Sequence, residues 1–248
     1  MIPKIIHACW FGNQPIPEEH KKYIDGWKKT HPDFEVKVWT EETFKKYYDD
    51  SLFIKDAVEM KKYAFLSDYF RLVVLYEFGG IYMDTDVEML KPVDQFMDCK
   101  LFLGYLFDCS LGTAVIGCEK GNPIMKTLLQ KLEDDYAETK KFTVSNDWIT
   151  KHFIENVNGF LLTGKRQSLP GNIEIYPKNY FERLDISNTG GFTIHHCDGS
   201  WRKKGFARKY VKPVIKFVLG KKGYEKAIVY RLTKKSIYYD VHKKAISK

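Results

Sequence analysis

The chain has 248 residues, enough for one large domain or for one domain with an appendage. Hydrophobic residues make up 44% and aromatic residues 15%, which supports a packed core and excludes a disordered body. The net charge of +8 is unevenly placed: residues 202–248 hold 16 Lys/Arg against two acids, whereas residues 1–201 hold 24 against 30.

The five cysteines are scattered and form no CxxC pair. Neither a disulfide framework nor a zinc ribbon is expected, and a reducing, cytosolic setting follows. The opening MIPKIIHACWFG has no signal-peptide layout. No apolar run reaches the roughly 18 residues of a membrane span.

Residues 2–10 are apolar and β-branched, and predict a buried first strand. Pro17 opens a predicted helix over 17–30. Glu35–Trp39 alternates like a strand, and Thr40 with Glu41 and Glu42 has the pattern of a helix start. A helix is expected over about 56–78, stopped by Gly79-Gly80. A short strand at 81–83 leads into Asp84-Thr85-Asp86. Strands at 101–107 and 113–118, and helices at about 122–138 and 145–157, come next. Short strands at 160–163, 172–176 and 192–196 precede a helical pattern from 206 onward, interrupted near Leu219-Gly220. This alternation predicts an α/β sandwich with a mostly parallel sheet, whose ligands bind at the carboxyl ends of strands.

Asp84 and Asp86 fall at such an end. In extended backbone, residues i and i+2 face the same side, so the two carboxylates aim at one point. Two hard oxygen ligands suit Mn²⁺ or Mg²⁺, which take further ligands from substrate phosphates. The ion would neutralise a departing diphosphate. Upstream, Asp68 and Arg71 share one helix face at i and i+3. They read either as a surface ion pair or as sugar and phosphate contacts.

The string SDYFRLVVLYEFGGIYMDTDVEMLKPVD resembles the signature of glycosyltransferase family 32, which holds Och1-like mannosyltransferases and capsule and lipopolysaccharide transferases. It is also similar to the glucosyltransferase domains of clostridial toxins. IPKIIHACWFG and HHCDGSW, at 195–201, resemble the family's start and end. The resemblance implies a GT-A fold, a nucleotide-diphosphate-sugar donor, a divalent cation and retention of anomeric configuration. Trp10 then looks like the aromatic that stacks on the donor base, with core packing as the alternative, and His7 joins it as a donor-binding candidate. Asp68 looks like a sugar-hydroxyl ligand, Arg71 like a sugar-phosphate contact, Asp84 like the ribose- and metal-side acid, and Asp86 like the direct metal ligand. Ser200 and Trp201 look like donors to the diphosphate.

Only one of the neighbouring His195 and His196 is expected at the metal, because strand neighbours face opposite ways. Spacing to Gly199 and Trp201 favours His196. Asn146-Asp147 is either a helix N-cap or a sugar contact. Thr163-Gly164-Lys165 departs from the family's Gly-Pro and points to a different acceptor pocket. No nucleophile stands out, and the resemblance implies that catalysis rests on positioning and charge stabilisation.

Residues 1–201 are therefore expected to form the catalytic domain, and residues 202–248 a basic helical extension. Basic residues interleaved with Phe206, Tyr210, Phe217 and Tyr224 suit an anionic membrane surface. The other reading packs the apolar stripe onto the body. Nucleic acid is disfavoured by the acidic body. The expected activity is transfer of a sugar, from UDP-sugar first and GDP-mannose second, to a saccharide or lipid-linked acceptor of a surface polysaccharide, at the inner face of the membrane. The alternatives are sugar-nucleotide binding without turnover, a two-metal phosphoryl-transfer enzyme using Glu88, and a polyanion-binding module.

Overall fold

The computed structural model describes residues 1–45, 51–183, 186, 190–197 and 212–247. Its elements are β1 (Ile5–Cys9), α1 (Glu18–Thr30), β2 (Glu35–Trp39), α2 (Leu52–Glu59), α3 (Tyr63–Phe78), β3 (Gly80–Met83), β4 (Val87–Met89), β5 (Leu101–Phe107) and β6 (Ser110–Cys118). They continue as α4 (Pro123–Thr139), α5 (Ser145–Asn156), β7 (Gln167–Leu169), β8 (Ile173–Tyr176), α6 (Lys178–Phe181), β9 (Thr193–His195), α7 (Lys212–Lys235) and α8 (Tyr239–Ile246).

Seven strands form one sheet in the order β2-β1-β3-β6-β5-β8-β7, and β4 pairs with β9 in a separate ladder. β1, β2, β3, β5 and β8 run one way, and β6 and β7 run against them. The expected α/β sandwich with a mostly parallel sheet is thus what forms. β1 has β2 on one side and β3 on the other. The chain leaves β1 in one direction and returns on its other flank, which makes their carboxyl ends a topological switch point. Trp10 follows β1 there, and Asp84 follows β3.

Apolar residues fill both faces. On β3, Tyr82 joins the core under α2, α3, α4 and α5, while Ile81 and Met83 join the core under α1 and α6. On β5, Leu101, Leu103 and Tyr105 face the first core and Phe102 the second. This is the period-two alternation of a sheet covered on both sides. α3 is buried almost all round, from Leu66 to Leu75, so it carries no polar face to reveal its period.

The helix expected over 56–78 is two helices. Ser51 caps α2 by accepting from the Ile54 N–H at 3.4 Å, and Lys61 breaks the path with φ 54°. Neither Gly nor Pro marks that break. The helix expected from Thr40 does not form: residues 41–44 are turn, and the Thr43 hydroxyl accepts from the Thr40 N–H and donates to its carbonyl. Residues 160–163 are loop, with the Leu161 carbonyl accepting from Tyr105 Oη at 3.1 Å. Gly80 sits at φ 98°, and a Cβ there would meet the Ile5 carbonyl oxygen at 2.5 Å. Only glycine lets β3 begin against β1.

His7 is fully buried on β1. Its Nε2 donates to the Gly79 carbonyl at 2.8 Å, and its Nδ1 accepts from Trp39 Nε1 at 3.1 Å. Its expected donor contact is therefore corrected to a core role. A proton on Nδ1 would face the indole N–H, and burial pushes the pKa down to about 4. The unfolded chain then binds the extra proton between about pH 6.5 and 4, so this group costs stability as pH falls through that window. A shift of that size corresponds to roughly 3–4 kcal/mol. Urea unfolding of His7→Gln should show a shallower loss of stability from pH 6.5 to 4 than wild type. An unchanged slope would remove His7 from the acid limb.

Candidate active site

Asp84-Thr85-Asp86 is a turn between β3 and β4, closed by the Val87 N–H on the Asp84 carbonyl at 3.0 Å. It is not the extended strand end the spacing implied, so the carboxylates converge for another reason. Asp84 Oδ1 accepts from Arg71 Nη2 at 3.1 Å and from Tyr82 Oη at 2.9 Å, which leaves Oδ2 as the oxygen nearer His195. Asp86 follows one turn residue later and feeds straight into β4.

β9 pairs antiparallel with β4 and sets His195 opposite Val87. His195 Nε2 lies 3.4 Å from Asp86 Oδ1 and 4.0 Å from Asp84 Oδ2. His195, and not the favoured His196, meets the acids. His196 Nε2 instead contacts Glu88 Oε2 at 3.0 Å, and its ring stacks on Tyr23 at 5.0 Å. The alternation argument holds, but the spacing to Gly199 and Trp201 chose the wrong member. Ser200 and Trp201 lie outside the described residues.

Donor atoms of Asp84, Asp86 and His195 all lie within 4.8 Å of one another. Two ligands each about 2.1 Å from one ion stand at most about 4.2 Å apart, and both measured His195 distances fall inside that limit. Two carboxylates and an imidazole are a donor set that suits Mn²⁺ better than Mg²⁺. The residues therefore fit a divalent cation. Glu88 stands apart in its contact with His196, so among the described residues the acids needed for a two-metal site do not gather here.

Arg71 is buried on α3. Nη1 donates to the Thr113 carbonyl at 2.7 Å, and Nη2 reaches Asp68 Oδ1 at 2.9 Å and Asp84 Oδ1 at 3.1 Å. Its guanidinium carbon lies 4.7 Å from the centre of the Tyr82 ring. Arg71 therefore holds two carboxylates in place, in place of the phosphate contact expected for it. Burial pushes the Asp68 carboxyl up to about 6, with Arg71 opposing and Asp84 adding to the rise. Burial also raises Asp84, against the pull of Arg71 and His195. Burial favours neutral His195, yet Cys197, Asp86 and Glu182 together lift its pKa well above the ordinary value.

Trp10 is half-buried. Its Nε1 donates to the Gln14 carbonyl at 2.7 Å, and its ring meets His20 edge-on at 5.7 Å. His20 Nδ1 contacts Thr85 Oγ1 at 3.0 Å, so the indole is tied to the acidic turn through one side chain. Asn146 does not cap α5, whose N-cap is Val144; its Nδ2 donates to the Leu111 carbonyl at 2.8 Å. Asp147 is exposed, and its carbonyl accepts from Tyr238 Oη of the extension at 2.8 Å. Neither Asn146 nor Asp147 joins the acid cluster. Gly164 packs on Asp108, with φ 74°. An open depression of about 360 Å³ beside Pro123, His152, Asn156 and Pro170 contains none of the candidate residues.

Three residues at the site escaped the sequence. Thr113 supplies only its carbonyl, and Tyr82 lies inside the motif without a distinguishing pattern. Glu182 is 1% exposed and its Oε2 contacts His195 Nδ1 at 2.9 Å, and nothing in the flanking residues marks it.

A mostly parallel sheet covered by helices on both faces, with its switch point at the ends of β1 and β3, is the GT-A fold of glycosyltransferases. The PaToxG glycosyltransferase shares that fold, with a TM-score of 0.53 and 23% identity over 64% of this chain and 71% of its own. Residues 17–103 match the family of glycosyltransferase sugar-binding regions containing the DXD motif, and the chain carries that region. A glycosyltransferase of Acanthamoeba polyphaga mimivirus is 26% identical over 81% of this chain and 84% of its own. Inositol phosphoceramide mannosyltransferase 3 of Schizosaccharomyces pombe is 30% identical over 137 residues, 53% of this chain. The chain spans 37% of that relative's length, and 33% of its paralogue inositol phosphoceramide mannosyltransferase 1.

Proposed function

We propose that the chain is a metal-dependent, retaining hexosyltransferase that takes a sugar from a nucleotide-diphosphate donor. The observation that carries this reading is the convergence of Asp84 Oδ2, Asp86 Oδ1 and His195 Nε2, with Asp84 fixed from behind by Arg71 and Tyr82. Asp84, Asp86 and His195 hold the cation, which supplies positive charge to the leaving diphosphate. Trp10 offers its ring to the donor base. Asp68, whose carboxylate is held by Arg71 and Ser145, accepts from sugar hydroxyls with its remaining lone pairs. Ser200 and Trp201 remain candidates for the diphosphate.

UDP-sugars are the first donors to test. The mannosyltransferase names of the yeast relatives support GDP-mannose as the second. Their inositol phosphoceramide names likewise support a lipid-linked acceptor over a free saccharide. Capsule and lipopolysaccharide synthesis are settings for such an acceptor. The expected result is a thermal shift with one donor class that depends on Mn²⁺. Ligand at 100 times its Kd adds about 2.7 kcal/mol, and each kcal/mol moves Tm by about 2–4 °C at this chain length. If no sugar nucleotide shifts the transition with Mn²⁺, the donor assignment fails. Donor hydrolysis separates an enzyme from a binding protein.

The domain division at 201/202 and membrane attachment by the extension belong to the same proposal. Glu225, Val229 and Thr233 recur at every fourth position of α7 and turn toward the body. His242 of α8 docks by Nδ1 on the Leu162 carbonyl at 2.7 Å. Phe217, Val218 and Leu219 are exposed beside exposed Lys221 and Lys222, a pairing that suits an anionic bilayer at its cytoplasmic face. No described helix is long and apolar enough to cross a membrane. Full-length Phe217→Glu/Val218→Glu should lose tenfold or more of its binding to phosphatidylglycerol vesicles while keeping its Tm. Unchanged co-sedimentation would remove membrane attachment from the proposal.

A further inference from the structure

The geometry points to Glu182 as the positioning residue that makes His195 a metal ligand. This rests on the metal reading above and deepens it. Glu182 lies just past α6, buried to 1% exposure. Both carboxylate oxygens have fixed partners: Oε1 accepts from the Ala114 N–H at 3.0 Å, and Oε2 contacts His195 Nδ1 at 2.9 Å. The Glu182 carbonyl also accepts from the His195 N–H at 3.2 Å, so the two residues are clamped by main chain and side chain together.

With a cation between the acids in place of the Nε2 proton, the imidazole would carry one N–H. A carboxylate cannot donate, so Glu182 holds that hydrogen on Nδ1 and turns the Nε2 lone pair toward Asp86 and Asp84. This carboxylate–imidazole arrangement orients metal-binding histidines and raises their basicity. The surroundings are shaped for it. A Cβ on Gly112 would collide with the Glu182 carboxylate, so that glycine on β6 leaves the space the acid fills. Arg183, the next residue, is gripped by Glu225 of α7 at 2.6 and 2.9 Å, which anchors the segment from its other side.

A glutamine at 182 has one acceptor for two donors. Either its amide N–H₂ opposes the Ala114 N–H, or it opposes Nδ1–H and drives the imidazole hydrogen onto Nε2. Gly112→Ala keeps the carboxylate but displaces it. Binding of Mn²⁺ alone, followed by the paramagnetic resonance of the free ion, reads the effect without turnover. Glu182→Gln and Gly112→Ala should each weaken binding by roughly tenfold to a hundredfold. The double variant Glu182→Gln/His195→Ala should bind no more weakly than His195→Ala, because Glu182 acts through that ring. A merely structural acid would lower Tm and leave Mn²⁺ affinity alone. Affinity within twofold of wild type in Gly112→Ala and Glu182→Gln overturns the inference, as do additive losses in the double variant. If Asp86→Ala weakens Mn²⁺ binding and Glu182→Gln does not, only this inference falls. If wild type takes up no Mn²⁺, the metal reading falls and takes this inference with it.

Discussion

Asp86→Ala is expected to abolish Mn²⁺-dependent sugar transfer, by about 10³-fold or more, and to leave the fold standing. The loss follows from the site's arithmetic. On the proposed reading three protein groups hold the cation, and of its two acids Asp86, through Oδ1, is the nearer to His195 Nε2 at 3.4 Å. Removing it leaves two ligands and less negative charge, in a site where stabilisation of a departing anion is the main catalytic term. Stability should change by about 1 kcal/mol or less, because two effects oppose each other. Asp86 attracts His195 but repels Asp84, whose carboxyl it helps to raise. Turnover assays with added Mn²⁺, and melting curves in chelator, check the two halves. Full activity would end the metal assignment. A collapse in Tm would show that Asp86 serves the fold.

Arg71→Met should have the opposite profile: a fall of about 3–5 kcal/mol in unfolding free energy, measured by urea titration. Methionine fills much of the volume, so the cost is electrostatic. Asp68 and Asp84 would be left near each other with their shared cation gone, and the Thr113 carbonyl would lose its donor. Lysine should not rescue it, because one ammonium cannot reproduce a planar fork that reaches two carboxylates and a carbonyl. Arg71 Nε has no partner among the described residues, so the side chain already carries an unmet cost. Adding Asp68→Asn to Arg71→Met should recover part of the loss, through a coupling of about 0.5–3 kcal/mol. A loss under 1 kcal/mol would be falsifying for Arg71 as the support of Asp84. Activity should fall as well, since Asp84 would no longer present Oδ2.

Much of the site lay open in the residues themselves. Asp84-Thr85-Asp86 after Gly79-Gly80 marks a tight approach and a pair of hard ligands, and both sit at the switch point of the sheet. Asp68 and Arg71 at i and i+3 predicted a shared face, which is borne out by the 2.9 Å contact. What Arg71 grips was not legible. Its partners come from β6 and the acidic turn, 42 and 13 positions away in sequence. A charged residue in a helix also reads the same whether its surroundings are water or core.

The sequence by itself determined the alternation of strands and helices, the acidic pair, and a tail whose basic charge is broken by apolar groups. These are local properties, set by side-chain period, glycine and proline positions, and charge. Tertiary structure decided which histidine meets the acids, where His7 lies, and what holds His195 in place. Pairing of β9 with β4 fixes a register, and a register shift of one residue would have exchanged His195 for His196. Glu182 depends on the absence of a Cβ at Gly112, 70 positions earlier in the chain. Such contacts arise when the sheet closes and distant segments compete for one buried volume, a competition that neighbouring residues do not record.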